Sequence, residues 1–328
     1  MISIRTLLTA AVGAASLLTL TAASGSAAVV LKYGTEVNDS HPIGAASHAF
    51  AKRVDELSNG DIEIRVFTAE SLGTAREMVE MLQLGTLDMT TVTAGVVANF
   101  APSHDFFALP FLWENQDHLQ RVVEGEVGDM LKQSLADIGI VGLGYSTSGA
   151  RQLYTTRDIG SLEDIKGLKV RTMKVPQIVE TWKALGAIPV PVAFSEVYQA
   201  LQTGVVDGAE SSFLGWISQK HYEQAPKGYR INYIDAGRAY MMSQAAADRL
   251  SDEQMKIIQQ GVDEMIEKVQ ADYREQDEAA AETAKKFGAE VIVLDTAPFR
   301  EAVKPVYEQF QPTLGQKLLD LIESERQG

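Results

Sequence analysis

Two arginines carry the strongest chemical hint in this sequence. Arg171 ends a short apolar and polar alternation at 168–171, and Arg151 closes the polar run that follows 138–145. In open α/β sheets a ligand sits beyond the carboxyl ends of strands, so the residues after each strand are the candidates. By that rule the first strand offers Glu36 and the stretch 87–92 offers Thr93. The run 138–145 leads to Ser146 through Arg151, and 205–210 leads to Ser211 and Ser212. Paired guanidinium groups suit a planar anion, and a carboxylate accepts both prongs of the arginine fork. The plainer reading makes each arginine a solvated strand-end residue in a surface ion pair.

Other chemistry has no carrier here. The chain has no Cys, which removes thiol nucleophiles, Cys-ligated zinc, iron–sulfur clusters, disulfides and a lipoprotein anchor. The histidines His41, His48, His104, His118 and His221 show no metal-ligand spacing, and His41 before Pro42 reads as the residue that opens a helix. Gly142-Leu143-Gly144 lacks the third glycine of a dinucleotide loop. Ser148 occupies the place where a nucleophile elbow needs its last glycine. No catalytic residue, metal or cofactor is therefore expected.

These candidates need elements to hold them. Short strand-like runs at 29–35, 61–67, 138–145, 168–172, 205–210 and 289–294 alternate with helical stretches at 45–57, 74–84, 177–185 and 195–203. That alternation predicts an α/β fold. Gly85, Gly186 and Gly204 read as helix stops, and Ser195 as an N-cap. Ser251-Asp252-Glu253-Gln254 opens a helix with a capping box, and Lys285-Lys286-Phe287-Gly288 closes it. Only Gly261 interrupts the intervening run. Such a helix, 252–287, would be roughly 50 Å long and must span two lobes or bend between them. No flexible linker separates the lobes, so the chain is expected to cross between them more than once.

Composition narrows the function. The 328 residues carry 29 Lys+Arg against 44 Asp+Glu, a net charge of −15 that argues against nucleic-acid partners. The first 28 residues run from Arg5 through an apolar stretch to small residues ending at Ala28, the order of a secretory signal peptide. No later segment has about 20 consecutive apolar residues. A soluble exported protein without a lipid anchor is expected in a periplasm, with cleavage expected after Ala27 or Ala28.

The run 162–212 closely resembles the DctP-type substrate-binding proteins of TRAP transporters. The resemblance rests on Gly167-Leu168-Lys169-Val170-Arg171, Phe194-Ser195-Glu196-Val197-Tyr198, Ala200-Leu201-Gln202-Thr203-Gly204 and Val206-Asp207-Gly208-Ala209-Glu210. It extends to Leu109-Pro110-Phe111, Ser148-Gly149-Ala150-Arg151-Gln152 and the long helix. It implies a type II periplasmic-binding-protein fold: two lobes, a ligand cleft, hinge crossovers and a long lobe-bridging helix. The implied division is 29–148 plus 237–265 for lobe I and 149–236 plus 285–328 for lobe II.

The resemblance further implies a receptor that captures a small organic acid; a monomer is expected. The receptor delivers that acid to a TRAP permease of one small and one large membrane subunit, driven by an ion gradient. Arg171 then matches the arginine that forks the substrate carboxylate, Arg151 helps it, and Phe194 packs on the ligand or simply in the core. Ser211 stands where many relatives have Asn. The stretch 93–97 lacks the Glu and Arg of sialic-acid-type members. Glu36 matches a glutamate that faces the cationic ring in ectoine-binding relatives, or else it caps a helix; Asp235 approaches from the second crossover. A sugar acid or other hydroxylated or keto carboxylate is the expected cargo, with a zwitterion such as ectoine or an amino acid as the alternative. An ATP-driven importer's receptor and a periplasmic enzyme are the competing classes.

Overall fold

The computed structural model describes residues 28–326. The leader expected at 1–28 lies outside the described residues except for Ala28. The strands are β1 Val29–Thr35, β2 Ile62–Phe67, β3 Met89–Thr93, β4 Ile140–Thr155, β5 Lys169–Thr172, β6 Ile188–Pro191, β7 Gly208–Ser211, β8 Lys227–Ser243 and β9 Glu290–Val293. They form one mixed sheet in the order β2-β1-β3-β8-β4-β7-β5-β6, with β9 also on β8.

The expected two-lobed α/β architecture rests on β4 and β8. In the first lobe, residues 140–147 of β4 pair antiparallel with 237–243 of β8, and β8 pairs onward with β3. In the second, residues 150–155 of β4 pair with 227–235 of β8 and also with β7. Between these halves the register slips, because Thr147 faces Gly237 and Ala150 faces Asp235. Gly149 takes φ +81° at this slip, and a Cβ there would lie 3.0 Å from the Tyr273 ring. A residue with a side chain would be strained and crowded at once.

β4 is thus far longer than the strand expected at 138–145, and β8 has no counterpart among the strand-like runs of the sequence. Their central residues, Ser146 to Gln152 and Asp235 to Arg238, are polar or small, a composition that reads as loop. They remain in the ladder because buried backbone N–H and C=O groups need partners wherever the chain crosses between lobes.

The long helix runs Asp252–Lys286, its Ser251 and Gln254 completing the capping box. It passes straight through Gly261, where a Cβ would lie 2.8 Å from Val54 and 3.0 Å from the Phe50 ring. The glycine admits the neighbouring helix Pro42–Leu57, which His41 caps by accepting from the Ile43 N–H at 3.2 Å. Ser195 is not an N-cap. It lies inside a one-turn 3-10 helix, Phe194–Glu196, and donates instead to Glu70. Two apolar clusters form the core, one around Phe106, Trp113 and Trp182, the other around Phe50, Trp216 and Tyr273. The tail at 285–328, expected in the second lobe, also reaches elements that precede residue 148. β9 pairs with β8 in that lobe, but His118 binds the Ile322 carbonyl at 2.8 Å and Lys317 reaches Glu126 at 2.6 Å. The amphipathic helix Gln316–Ser324 finds its apolar partner on the first lobe.

Candidate functional site: a cleft with two buried arginines

A cleft of about 800 Å³ opens where β4 and β8 cross between the lobes. Six of the residues singled out from sequence line it: Glu36, Thr93, Arg151, Arg171, Phe194 and Ser211. Asp235, on β8 opposite Ala150, is buried but does not border the cleft.

Arg171 enters from β5 and is only 1% exposed. The parallel neighbour β6 leads to Val192, whose carbonyl accepts from Arg171 Nε at 2.8 Å. Phe194 follows two residues later and lies 5.5 Å beneath the guanidinium carbon, within cation–π range. Arg171 Nη1 sits 3.9 Å from Glu210 Oε1, too far for a hydrogen bond. Among the described residues neither of those buried atoms has a hydrogen-bond partner. Burial accordingly lowers the Arg171 pKa, and the attraction of Glu210 only partly opposes it. The guanidinium stays charged at any physiological pH, so the cost appears as a charge in need of an anion.

Arg151 is differently placed. Its Nε pairs closely with Glu210 Oε2, and its Nη2 donates to the Glu210 carbonyl at 2.9 Å. Tyr233 adds a 2.6 Å hydrogen bond to the same carboxylate oxygen. Burial opposes the Arg151 charge, yet Glu210 and Tyr233 together raise its pKa above the ordinary value. Ser211 donates to Tyr154 Oη at 3.2 Å, and Tyr154 meets His221 Nδ1 at 2.9 Å. Burial, with some help from Arg171, pushes His221 down to about 3, so its ring is neutral.

The first-lobe wall holds a residue that sequence reasoning missed. Arg238, on β8 opposite Thr93 of β3, is 3% exposed and borders the cleft. It forks Glu36 through Nη1 at 3.2 Å and Nη2 at 3.0 Å. Glu36 Oε1 also accepts from the Thr93 N–H at 3.1 Å and hydroxyl at 3.2 Å. Glu36 therefore does not cap the next helix. Burial works against Arg238, but Glu36 more than compensates and raises its pKa. No sequence signal joins residues so far apart; reading β8 as a strand was the one route to Arg238. Glu210 stood inside a quoted motif without a role. Its part follows from lying between two arginines that different strands deliver.

At the rim the lobes touch. Glu70 Oε2 accepts from the Ser195 N–H at 3.0 Å and hydroxyl at 2.5 Å. Asn38 Nδ2 donates to the Ser218 carbonyl at 3.0 Å.

A two-lobed α/β protein with a buried cationic cleft at its crossover has the architecture of a solute-binding protein. The chain belongs to the DctP family, bacterial extracellular solute-binding proteins of family 7, whose model matches residues 33–313. It is 31% identical to the sialic acid-binding periplasmic protein SiaP of Vibrio cholerae over 93% of this chain and 95% of that one. It also resembles a TRAP periplasmic solute binding protein from Xanthobacter autotrophicus with bound β-D-galacturonate. There the TM-score is 0.85 at 29% identity, covering 90% of this chain and 98% of that one. The sugar acid binding protein DctPAm from Advenella mimigardefordensis, in complex with galactonate, superposes with a TM-score of 0.88 at 28% identity. That match covers 92% of this chain and 99% of its counterpart. The chain is thus a solute receptor of the TRAP transporter class.

Proposed function

We propose that this receptor takes a sugar acid, seats its carboxylate on Arg171 and hands it to a TRAP permease with one small and one large membrane subunit. The observation that carries this reading is the buried Arg171 guanidinium, positioned by Val192 and Phe194 and short of a hydrogen-bonded anion. A ligand carboxylate supplies the charge and both acceptor oxygens. Around it, Ser148, Ser211, Ser212, Thr93 and the Glu36 carboxylate offer partners for hydroxyl groups. Relatives with bound galacturonate and galactonate support this choice of cargo. The stretch 93–97, Thr-Ala-Gly-Val-Val, has no charged group to engage a sialic acid.

The leader at 1–28 exports the chain to the periplasm and is removed, and the mature receptor acts as a monomer without chemistry of its own. The lobes, 29–148 with 237–265 and 149–236, move about Gly149 and the facing stretch of β8. With the cleft open, water hydrates Arg171; closure strips that water and is favourable only when an anion replaces it. The ligand then shifts the population by its preference for the closed form, and the permease reads the shape.

A thermal-shift panel of uronates, aldonates, short hydroxy acids and keto acids tests the reading. A true cargo at about 100 times its dissociation constant adds roughly 2.7 kcal/mol of stability. No shift with any sugar acid would overturn it.

A further inference from the structure

Among the residues that line the cleft, buried arginines outnumber buried carboxylates; Asp235, also buried on β8, does not border it. Arg151, Arg171 and Arg238 are all buried, and the carboxylates that pair with them are Glu36 and Glu210. Glu36 is matched to Arg238 by a two-pronged contact, and Glu210 is matched to Arg151. That leaves Arg171 without a carboxylate in hydrogen-bonding range. The other charged groups at the cleft are at its mouth. Arg76 and Lys174 are exposed, Arg76 is paired with Glu80 at 3.0 Å, and Glu70 is held by Ser195. Charges in contact with water are screened and contribute little to selection.

Resting on the sugar-acid reading above, we infer that the cleft selects ligands by net charge: it accepts a single negative charge at Arg171, and the Glu36–Arg238 pair rejects a second. Arg238 is the specificity-determining residue in a particular sense. Although a cation, it already holds Glu36 through both terminal nitrogens, while its buried Nε has no hydrogen-bond partner among the described residues. A second carboxylate at that end meets a pair whose charges already balance, with no surplus cation to receive it. A hydroxyl there donates to Glu36 without adding charge. The cleft therefore favours aldonates and uronates over aldarates and C4-dicarboxylates. It also disfavours zwitterions, because Glu36 is not free to face their cationic group.

Titration calorimetry of the full mature chain at neutral pH tests the inference with seven probes: D-galacturonate, D-galactonate, galactarate, succinate, ectoine, lactate and pyruvate. Galacturonate or galactonate is expected to bind at least ~100-fold tighter than galactarate, since a second buried carboxylate without a cation is heavily penalised. In Glu36→Gln, Arg238 is released and galactarate should gain at least ~10-fold relative to the sugar monoacids. Galactarate or succinate binding as tightly as galacturonate in the native chain would overturn the inference while leaving the receptor reading intact. Ectoine binding most tightly would overturn both. Tight binding of lactate or pyruvate, added as simple monoacids, with none of galacturonate, galactonate, galactarate or succinate would sink the sugar-acid reading and uphold the charge rule. Should Glu36→Gln fail to fold, the native chain's own ratio of galactarate to galacturonate affinity still upholds or overturns the charge rule.

Discussion

The two ends of the cleft each bury an arginine, and they are opposite in design. On the first-lobe wall, Arg238 has its carboxylate from within the chain, in a forked contact that Thr93 completes from the other side. On the second-lobe wall, Arg171 has a backbone carbonyl, an aromatic face and a carboxylate too distant to hydrogen-bond. The pKa directions follow: Arg238 is raised because Glu36 outweighs burial, and Arg171 is lowered because nothing outweighs it. One arginine is structural charge already neutralised. The other is a charge kept in reserve for a ligand. Burial by itself thus says little about which arginine binds cargo; the state of its partner decides.

Arg171→Ala tests the reserved end and should show the largest effect. Affinity for the sugar acid should fall by about a thousandfold, since an unpaired buried carboxylate costs ~3–5 kcal/mol. Arg171→Lys should not rescue it, because the fork is lost; calorimetry with wild-type affinity in the lysine variant would break the comparison. The same site should be nearly silent in stability. Arg171→Met leaves Glu210 still paired with Arg151 and Tyr233, so the ligand-free melting temperature should hold or rise.

Arg238→Met should behave in the reverse manner. It strands Glu36 in the core of the crossover and should destabilise the fold by about 3–5 kcal/mol in denaturant titration. Adding Glu36→Gln should restore much of that loss, because the orphaned charge goes with it. If the double variant is no better than the single, the two residues do not act as a unit.

Proton uptake gives the next largest effect and samples both ends. His41, beside Arg238, and His221, beside Arg171, are each pushed down to about 3, chiefly by burial. His104, in the first-lobe core, is lowered to a similar value by burial, slightly opposed by its bond to Ala101. With the folded pKa depressed, the unfolded chain takes up protons first. Stability is therefore complete above the ordinary value of 6.5 and declines as pH falls from there toward 3. At about pH 5 each buried histidine removes roughly 2 kcal/mol, visible as a falling melting temperature between neutral pH and that point. A ligand anion cancels part of the Arg171 field on His221, while His41 borders the cleft and senses the bound ligand directly. Histidine NMR should show a ligand-dependent shift at both.

The smallest effect belongs to the rim. Ser195→Ala removes the hydroxyl donated to Glu70 across the cleft mouth and keeps the backbone N–H. Ligand release should accelerate several-fold, about 1 kcal/mol, with little change in association. Stopped-flow dissociation measures it.

Much of the site was legible before the fold. Arg171 could be picked out because it stands near the end of a short strand whose alternation is plain; the same rule picked out Arg151, which instead lies inside β4 and reaches the cleft from the interior of that strand. The capping box at Ser251 and the glycine stops at Gly85, Gly186 and Gly204 are likewise local: each works within a turn of itself, and all three glycines take positive φ. Ser195 shows the limit of such reasoning. Its sequence context suits a cap, yet its hydroxyl meets a better acceptor, Glu70, from the other lobe.

The sequence alone determined the α/β character, the long helix and Arg171 near the end of its strand, because backbone propensity, capping and hydrophobic period are written within a few residues. Only the tertiary structure decided that β4 and β8 run unbroken between the lobes, that Glu36 belongs to Arg238, and that Glu210 stands nearer to Arg151 than to Arg171. Those are outcomes of pairing between distant segments, and an electrostatic field depends on distance in space rather than along the chain.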